Sequence, residues 1–215
     1  MPATIDEITV ADPPELWARL GFRVDGDACD VGSIRLRLAG REAGKRVTSW
    51  TLRGVDTTEL DGLATSISDA APRASAPAHP NGVTAIDHVV AFCPDLDRTV
   101  AVLQSAGLDL RRIREEPTPG GAPRQAFFRV GEVILECIQM PDSPELDRSR
   151  GSRLWGLAVR TADMGQTAAA LGDMLGKPRD AVQEGRTIAT LRSDAGSTVP
   201  LAFMTPPPDR EAAGR

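Results

Sequence analysis

The stretch AIDHVVAFCPDLDRTVAVLQSAG, residues 85–107, decides the fold of this chain. Its first half is rich in β-branched and apolar residues with a two-residue period, which predicts a strand. Its second half begins at Asp95, which can cap the free amides of a helix start, and has apolar residues at helical spacing. Gly107 then follows, and glycine readily takes the left-handed conformation that ends a helix. The stretch therefore predicts a strand followed by an amphipathic helix.

The same order returns later in the chain, so the sequence contains an internal repeat. In the first copy the helix is followed by three predicted strands, LDLRRIREE, RQAFFRVG and EVILECIQ. The second copy has a strand SRLWGLAVRT, a helix DMGQTAAALGDML with Asp163 as cap and Gly176 as its end, and strands in RDAV, RTIATLR and TVPLAFM. Both copies read β-α-β-β-β.

The N-terminal part repeats this theme less completely. TIDEITV predicts a strand and DPPELWARL a helix, with Asp12 as its cap and Gly21 as its stop. FRV, ACDV and SIRLRLA follow as candidate strands, then KRVTSWTLRG as a strand and TTELDGLATSI as a helix. The whole chain therefore holds roughly three and a half units of the repeat.

Composition divides the chain into four parts. Residues 69–83 are rich in alanine and proline and predict a linker, and residues 205–215 carry three consecutive prolines and predict a disordered tail. We expect an incomplete N-terminal domain at 1–68 and a paired-module domain at 84–204. The fold class is α+β, with tandem β-α-β-β-β modules.

Charge and cysteine content limit the possible partners. The net charge of −5 is spread along the chain, which argues against a nucleic-acid partner. No apolar run approaches the about 20 residues that a membrane helix needs, and the start lacks a signal-peptide pattern. Three cysteines without a CxxC pair indicate a reduced, cytoplasmic protein. Exposed edge strands make a homodimer plausible.

The tandem units, with IDHVVAFCPDLDRTVAVLQSAGL opening one and GEVILECIQ closing it, resemble the vicinal oxygen chelate superfamily. That superfamily includes glyoxalase I, extradiol dioxygenases, methylmalonyl-CoA epimerase and bleomycin-resistance proteins. The resemblance covers residues 84–204 well and residues 3–68 weakly. It implies modules that pair edge to edge, curved mixed sheets that enclose a cavity, and helices on the outer face. It also implies a divalent metal that acts as a Lewis acid on a small-molecule substrate.

Carried over by position, the resemblance makes His88 the metal ligand on the first strand and Glu136 the ligand on the last strand of the better module. The expected metal is Fe, Mn, Ni or Zn. Alternation along the strands also places Glu136 on an apolar face, where a lone charge is costly to bury. Glu136 therefore needs a partner, which can be a metal, a histidine, the substrate, or an arginine such as Arg129 or Arg160.

The second copy departs from the superfamily pattern. Gly156 stands where His88 would align, and Ala202 stands where Glu136 would align. Neither residue can bind a metal through its side chain, so half of the expected ligands are missing. His79, the remaining histidine, lies in the predicted linker.

Three roles stay open for His88: packing, metal binding, or a metal-free role in acid–base chemistry or substrate binding, with Glu136 as its natural hydrogen-bond partner. Arg160 is a candidate for binding an anionic substrate. Phe92, together with Gly156 and Ala202, is expected to line a cavity for an apolar or aromatic small molecule.

The leading functional hypothesis is a glyoxalase-like enzyme of the lyase, isomerase or dioxygenase type, with its site around His88 and Glu136. The alternative is a non-catalytic protein of the bleomycin-resistance type that sequesters a small molecule. A purely structural or partner-binding role also remains open. The sequence names no substrate.

Overall fold

A computed structural model describes residues 2–118 and 121–208. Its strands form one five-stranded and one eight-stranded sheet. The five-stranded sheet contains β1 (Thr4–Val10), β2 (Ala28–Val31), β3 (Ile34–Leu38), β4 (Val47–Arg53) and β5 (Thr65–Ile67). The eight-stranded sheet contains β6 (Val83–Cys93), β7 (Asp109–Arg114), β8 (Gln125–Val130), β9 (Val133–Gln139), β10 (Arg153–Thr161), β11 (Arg179–Asp180), β12 (Thr187–Thr190) and β13 (Leu201–Met204). The α-helices are α1 (Pro14–Arg19), α2 (Leu96–Ser105) and α3 (Met164–Leu171).

The eight-stranded sheet consists of two β-α-β-β-β modules that meet edge to edge. Its strand order is β11-β12-β13-β10-β6-β9-β8-β7, and the modules join where β6 pairs antiparallel with β10. In each module the first strand runs parallel to the last, β6 beside β9 and β10 beside β13. The predicted α+β class with tandem modules and mixed sheets is confirmed. Neither sheet is closed, since each ends in two edge strands.

The five-stranded sheet repeats the centre of the larger one, with β1 parallel to β3, antiparallel to β4, and β4 parallel to β5. Two sequence predictions are wrong here. FRV forms no strand, and TTELDGLATSI forms turns and the short β5 in place of a helix. Asp61 and Gly62 have φ values of 52° and 84°, which a right-handed helix does not allow. A Cβ on Gly62 would also lie 2.9 Å from the Cα of Gly151, so this turn packs tightly against the backbone just before β10.

The helix caps of the two modules follow the sequence closely. Asp95 accepts the backbone N–H of Arg98 at 3.0 Å, and Asp163 accepts that of Gly165 at 2.7 Å, as predicted. Gly107 follows α2 with a φ of 82°. The predicted end of α3 is wrong, because Gly172, with a φ of 52°, ends the α-helix before Gly176 and a short 3-10 turn follows.

Asp12 is not the cap of α1. Pro13 occupies the cap position, and no side chain caps this helix. The carboxylate of Asp12 is fully buried and accepts hydrogen bonds from the backbone N–H of Thr198 at 2.9 Å and from Arg41 at 2.8 Å. These distant donors satisfy the carboxylate, so it ties β1 to the segment that leads into β13.

The two sheets share one hydrophobic core. Trp17 and Trp50 from the N-terminal part belong to the same buried cluster as Val89 and Leu157 of the larger sheet. Residues 69–80 between the sheets contain no helix or strand. Whether residues 1–68 and 84–204 act as separate domains stays a prediction.

Other sequence expectations meet the structure as follows. All three cysteines, Cys29, Cys93 and Cys137, are buried and free. No helix among the described residues is long and apolar enough to span a membrane. The predicted tail 205–215 is described only to residue 208, and its remainder lies outside the described residues.

Candidate functional site

Strand β6 presents His88 and Phe92 on one face of the larger sheet, while Val89 and Ala91 point into the core. Alternation places Val90 on the same face as His88 and Phe92. Glu136 of β9 is the partner of Val90 in the strand pairing, so Glu136 also lies on this face. We call this surface the His88 face. The side chains of His88 and Glu136 are 17% and 15% exposed, so both are mostly buried and keep a small exposed part.

His88 and Glu136 form a close pair. Nε2 of His88 lies 3.5 Å from Oε2 of Glu136. Gln125 of β8 donates a hydrogen bond to Oε1 of Glu136, a partner that the sequence did not suggest. Burial raises the pKa of Glu136, and the charge of His88 and the hydrogen bond from Gln125 partly oppose this shift. Neither Arg129 nor Arg160 forms an ion pair with Glu136 in the part of the chain that the structure describes.

Asp87 holds the other side of the imidazole ring. Nδ1 of His88 lies 3.1 Å from Oδ1 of Asp87. Arg186 binds Oδ2 of the same carboxylate at 2.6 Å, and Nε of Arg160 lies 3.4 Å from that oxygen. Burial alone would raise the pKa of Asp87, but the hydrogen bond from His88 and the contact with Arg186 outweigh it and lower that pKa well below its usual range.

These contacts fix where protons must lie. An ionised carboxylate only accepts hydrogen bonds, so Nδ1 of His88 is the donor towards Asp87. In neutral imidazole Nε2 is then an acceptor, and it faces a carboxylate oxygen of Glu136, also an acceptor. Two acceptors therefore face each other, and one proton between them removes the repulsion. That proton lies either on Nε2, which makes His88 an imidazolium, or on Oε2, which makes Glu136 a neutral carboxyl group. The arrangement is therefore suited to holding and transferring one proton.

The second module contributes differently from what its sequence suggested. A Cβ on Gly156 would lie 2.6 Å from the carbonyl oxygen of Pro200, so backbone fills the space that we expected to be open. Ala202 is in register with Ala158, which in turn stands opposite His88. The polar groups that this module brings to the site are the guanidinium groups of Arg160 and Arg186.

Aromatic side chains extend the His88 face away from Asp87. The rings of Phe92 and Trp155 meet edge to face with their centroids 4.8 Å apart, and the guanidinium carbon of Arg153 lies 6.0 Å from the Phe92 ring. Phe127 stands next to Glu136 in register, with the guanidinium carbon of Arg112 5.0 Å from its ring. This side of the site is apolar with a basic border.

Two further features of the chain lie away from this site. His79 is 4% exposed, and its Nδ1 accepts the backbone N–H of Arg23 at 3.0 Å, so it anchors the segment between the sheets. A pocket of about 270 Å³ opens beside it on the five-stranded sheet. Its charged groups neutralise one another through ion pairs such as Arg35–Asp30 and Arg37–Asp27, so it gives no argument for a ligand.

A divalent metal is poorly served by these side chains. Among the described residues no group of three or more His, Cys, Asp or Glu side chains could hold a metal ion. His88 and Glu136 are two donors, and Asp87 is already bound by Arg186. The positive charge of Arg186 and Arg160 beside Asp87 disfavours a dication there. The donor set therefore does not fit the metal that the family resemblance implies.

The paired β-α-β-β-β modules, joined through their first strands, define the vicinal oxygen chelate fold, as the sequence resemblance implied. No protein-family model and no curated protein sequence matches the chain.

A solved structure supports the fold assignment. A xylose isomerase-like TIM barrel/4-hydroxyphenylpyruvate dioxygenase fusion protein superposes with a TM-score of 0.63 at 14% identity, covering 95% of this chain and 49% of the fusion protein. The chain thus spans about half the length of that protein. Methylmalonyl-CoA epimerase from Mycobacterium tuberculosis has a TM-score of 0.49 at 20% identity, covering 61% of this chain and 93% of the epimerase. At 14% identity the likeness to the fusion protein establishes the fold alone.

Proposed function

We propose that this protein is a small-molecule enzyme that moves a proton at a carbon next to a carbonyl group. The observation that carries the proposal is the 3.5 Å approach of Nε2 of His88 to Oε2 of Glu136, with Nδ1 engaged by Asp87. A positioned pair that holds one proton can accept a proton from a substrate carbon and return it, which is general acid–base catalysis. The reaction class is an isomerase or lyase that forms an enolate.

Arg160 supplies what an enolate requires in addition. Its side chain is 31% exposed, and its contact with Asp87 is its only hydrogen bond or ion pair with other described residues. The remaining N–H groups of the guanidinium are therefore free to bind a substrate oxygen. A fixed positive charge beside a developing oxyanion stabilises the transition state.

The aromatic part of the site supports an apolar substituent on the substrate. Phe92 and Trp155 are half-buried on the His88 face, within the same sheet surface as the proton-transfer pair. The same surface favours the second candidate, a protein that sequesters an aromatic or apolar molecule without chemistry. We propose that Phe92, Arg160 and Ala202 contact the bound small molecule, whether it is a substrate or a sequestered compound.

Solvent deuterium exchange distinguishes the two candidates. The protein is incubated in D₂O with a panel of small 2-oxo acids, 2-substituted thioesters and 2-hydroxy ketones, and deuterium at the carbon next to the carbonyl is followed by NMR. We expect at least one compound to exchange, with the rate falling by about 100-fold in His88→Ala. His79→Asn serves as the control, because His79 lies outside the site. Binding of a panel compound without exchange would favour sequestration.

Metal analysis separates this mechanism from metal-dependent chemistry at the same residues. We expect protein purified without a chelator or a histidine tag to hold far less than one Fe, Mn, Ni or Zn per chain. Near-stoichiometric metal that disappears in both His88→Ala and Glu136→Gln would overturn the metal-free mechanism and restore the metal ligands that the resemblance implies.

A further inference from the structure

Asp87 lies at a break in the strand pairing. Against β10, Ile86 pairs with Val159 and His88 pairs with the next residue, Ala158, so Asp87 is an extra residue on β6. Such a β-bulge redirects the side chain of the inserted residue. Here it turns the carboxylate of Asp87 to the Nδ1 side of the neighbouring His88 ring.

Arg186, the residue before β12, covers this carboxylate. It binds both oxygens of Asp87, with Nη1 at 3.3 Å from Oδ1 and Nη2 at 2.6 Å from Oδ2. Its Nε donates to the carbonyl of Thr205 at 2.7 Å, and it also donates to the side chain of Gln183. Arg186 is only 5% exposed and Asp87 only 7%. The fork geometry and burial leave the carboxylate one orientation.

We infer that Asp87 and Arg186 are positioning residues that fix His88 with its hydrogen on Nδ1, so that Nε2 is the nitrogen that works with Glu136. The catalytic part of this inference rests on the proposed function. The placement of the hydrogen does not, because it follows from the contacts of Asp87 alone. The second hydrogen-bond partner of a histidine ring sets which nitrogen carries the proton.

The five-stranded sheet contains the same device without a histidine. In β1, Ile5 pairs with Leu52 and Glu7 with Thr51, so Asp6 is the extra residue there. Asp6 is 5% exposed and is bound by the guanidinium groups of Arg53 and Arg73. Arg53 stands opposite Thr4, as Arg160 stands opposite Ala85 in the larger sheet.

Glu7, which occupies the place of His88, pairs with Arg37 at 3.1 Å. The bulged aspartate with its arginines is therefore a repeated feature of this chain, and it meets a titratable ring only at His88. This repetition supplies a matched control: Asp6→Asn removes a buried carboxylate from the same setting without touching the site.

Replacing Asp87 by Asn should reverse the His88 tautomer. The Oδ2 position faces Arg186 at 2.6 Å and Arg160 at 3.4 Å, whereas the Oδ1 position faces Arg186 only at 3.3 Å. The amide oxygen of Asn therefore takes the Oδ2 position. The amide NH₂ then takes the Oδ1 position and donates to Nδ1 of His88. Neutral His88 must in that case carry its hydrogen on Nε2, where it can no longer accept a proton.

The experiment uses ¹⁵N-histidine-labelled full-length protein. The chain has only two histidines, and His79 accepts the N–H of Arg23 at Nδ1, so its neutral ring carries the hydrogen on Nε2. In the wild type we expect one ring with a hydrogen on Nδ1, which is His88, and one without. Asp87→Asn should convert His88, whereas Asp6→Asn should leave both rings unchanged.

Several outcomes decide the inference. A wild-type His88 without a hydrogen on Nδ1 would overturn it even if Asp87→Asn failed to fold, and so would an unchanged tautomer in a folded Asp87→Asn protein. The deuterium-exchange rate should fall by about 100-fold in Asp87→Asn. An unchanged exchange rate with a reversed tautomer would overturn the positioning role. If no panel compound exchanges with the wild type while the tautomers behave as expected, the proposed function fails and the hydrogen placement stands.

Discussion

Oε2 of Glu136 faces Nε2 of His88 at 3.5 Å, while the other carboxylate oxygen accepts a hydrogen bond from Gln125. Each oxygen of this buried carboxyl group therefore has its own partner, one titratable and one not. Gln125 holds the Glu136 side chain in place in the sheet, and His88 is its proposed partner in proton transfer. The two roles can be separated by substitution.

Glu136→Gln should keep the stability of the fold and lose the proton-transfer activity. A glutamine amide can still accept from Gln125 and donate to Nε2 of His88, so we expect the free energy of unfolding in urea to change by less than about 1 kcal/mol. Glu136→Ala leaves Gln125 without its acceptor and should cost about 1–3 kcal/mol. Deuterium exchange should be lost in both variants. Wild-type exchange in Glu136→Gln would remove Glu136 from the mechanism.

Trp155 should report ligands on the His88 face. Trp17 and Trp50 are 0% and 1% exposed, whereas Trp155 is half-buried beside Phe92. We expect 1-anilinonaphthalene-8-sulfonate, an aromatic anion suited to the rings and to Arg153, to quench tryptophan fluorescence in the wild type and not in Trp155→Phe. Ile67→Ala, which shortens an exposed apolar side chain on the five-stranded sheet, is the control. Equal quenching in Trp155→Phe would place the probe at another surface.

Gly156→Ala should destabilise the protein. The added Cβ would lie 2.6 Å from the carbonyl oxygen of Pro200, which belongs to the backbone and cannot move without disturbing the hydrogen bond to Leu157. We expect a loss of about 1–3 kcal/mol in the free energy of unfolding, as for other overpacked sites. Gly165→Ala is the comparison, because its Cβ would meet only the side chain of Asp163 and alanine favours the helix. An unchanged free energy of unfolding in Gly156→Ala would show that the backbone at Pro200 shifts to make room for the added Cβ.

His79 should make stability depend on pH. Burial lowers the pKa of His79 below 6.5, and the charge of Arg23 lowers it further. The unfolded chain therefore binds a proton at His79 more readily than the folded chain does. The contribution of neutral His79 to the free energy of unfolding is fully present above pH 6.5 and is lost as the pH falls below 6.5. Asn at this position can accept from Arg23 without titrating. Urea unfolding from pH 5 to pH 8 should show the wild type losing stability relative to His79→Asn towards low pH, and parallel curves would contradict this.

The sequence predicted most of what the local chain determines. Asp95 and Asp163 cap their helices because the amides they bind lie two or three residues away. His88 and Glu136 share one face because strand alternation is a local property and their strands are neighbours in the sheet. Asp12 was misassigned because its donors, Thr198 and Arg41, are brought to it only by the tertiary fold.

The parts of the site that the sequence did not reveal share a different cause. By simple alternation Asp87 points away from the His88 side, and only the bulge against Val159 and Ala158 brings it round. Periodicity contains no signal for an inserted residue. Arg186 precedes β12, a short strand next to the edge strand β11, and Gln125 begins β8, so neither had a pattern that linked it to His88. An Ile-Asp pair present in both β1 and β6 was the available clue.

Asp87 and its counter-ion Arg186 are 99 positions apart in the chain. A buried carboxylate without its counter-ion costs on the order of several kcal/mol, so the buried position of Asp87 in the first module depends on an arginine of the second module. The ion pair therefore couples β6 of the first module to the β11–β12 hairpin of the second module. Because Asp87 also contacts the His88 ring, the docking of this hairpin and the orientation of His88 depend on the same carboxylate.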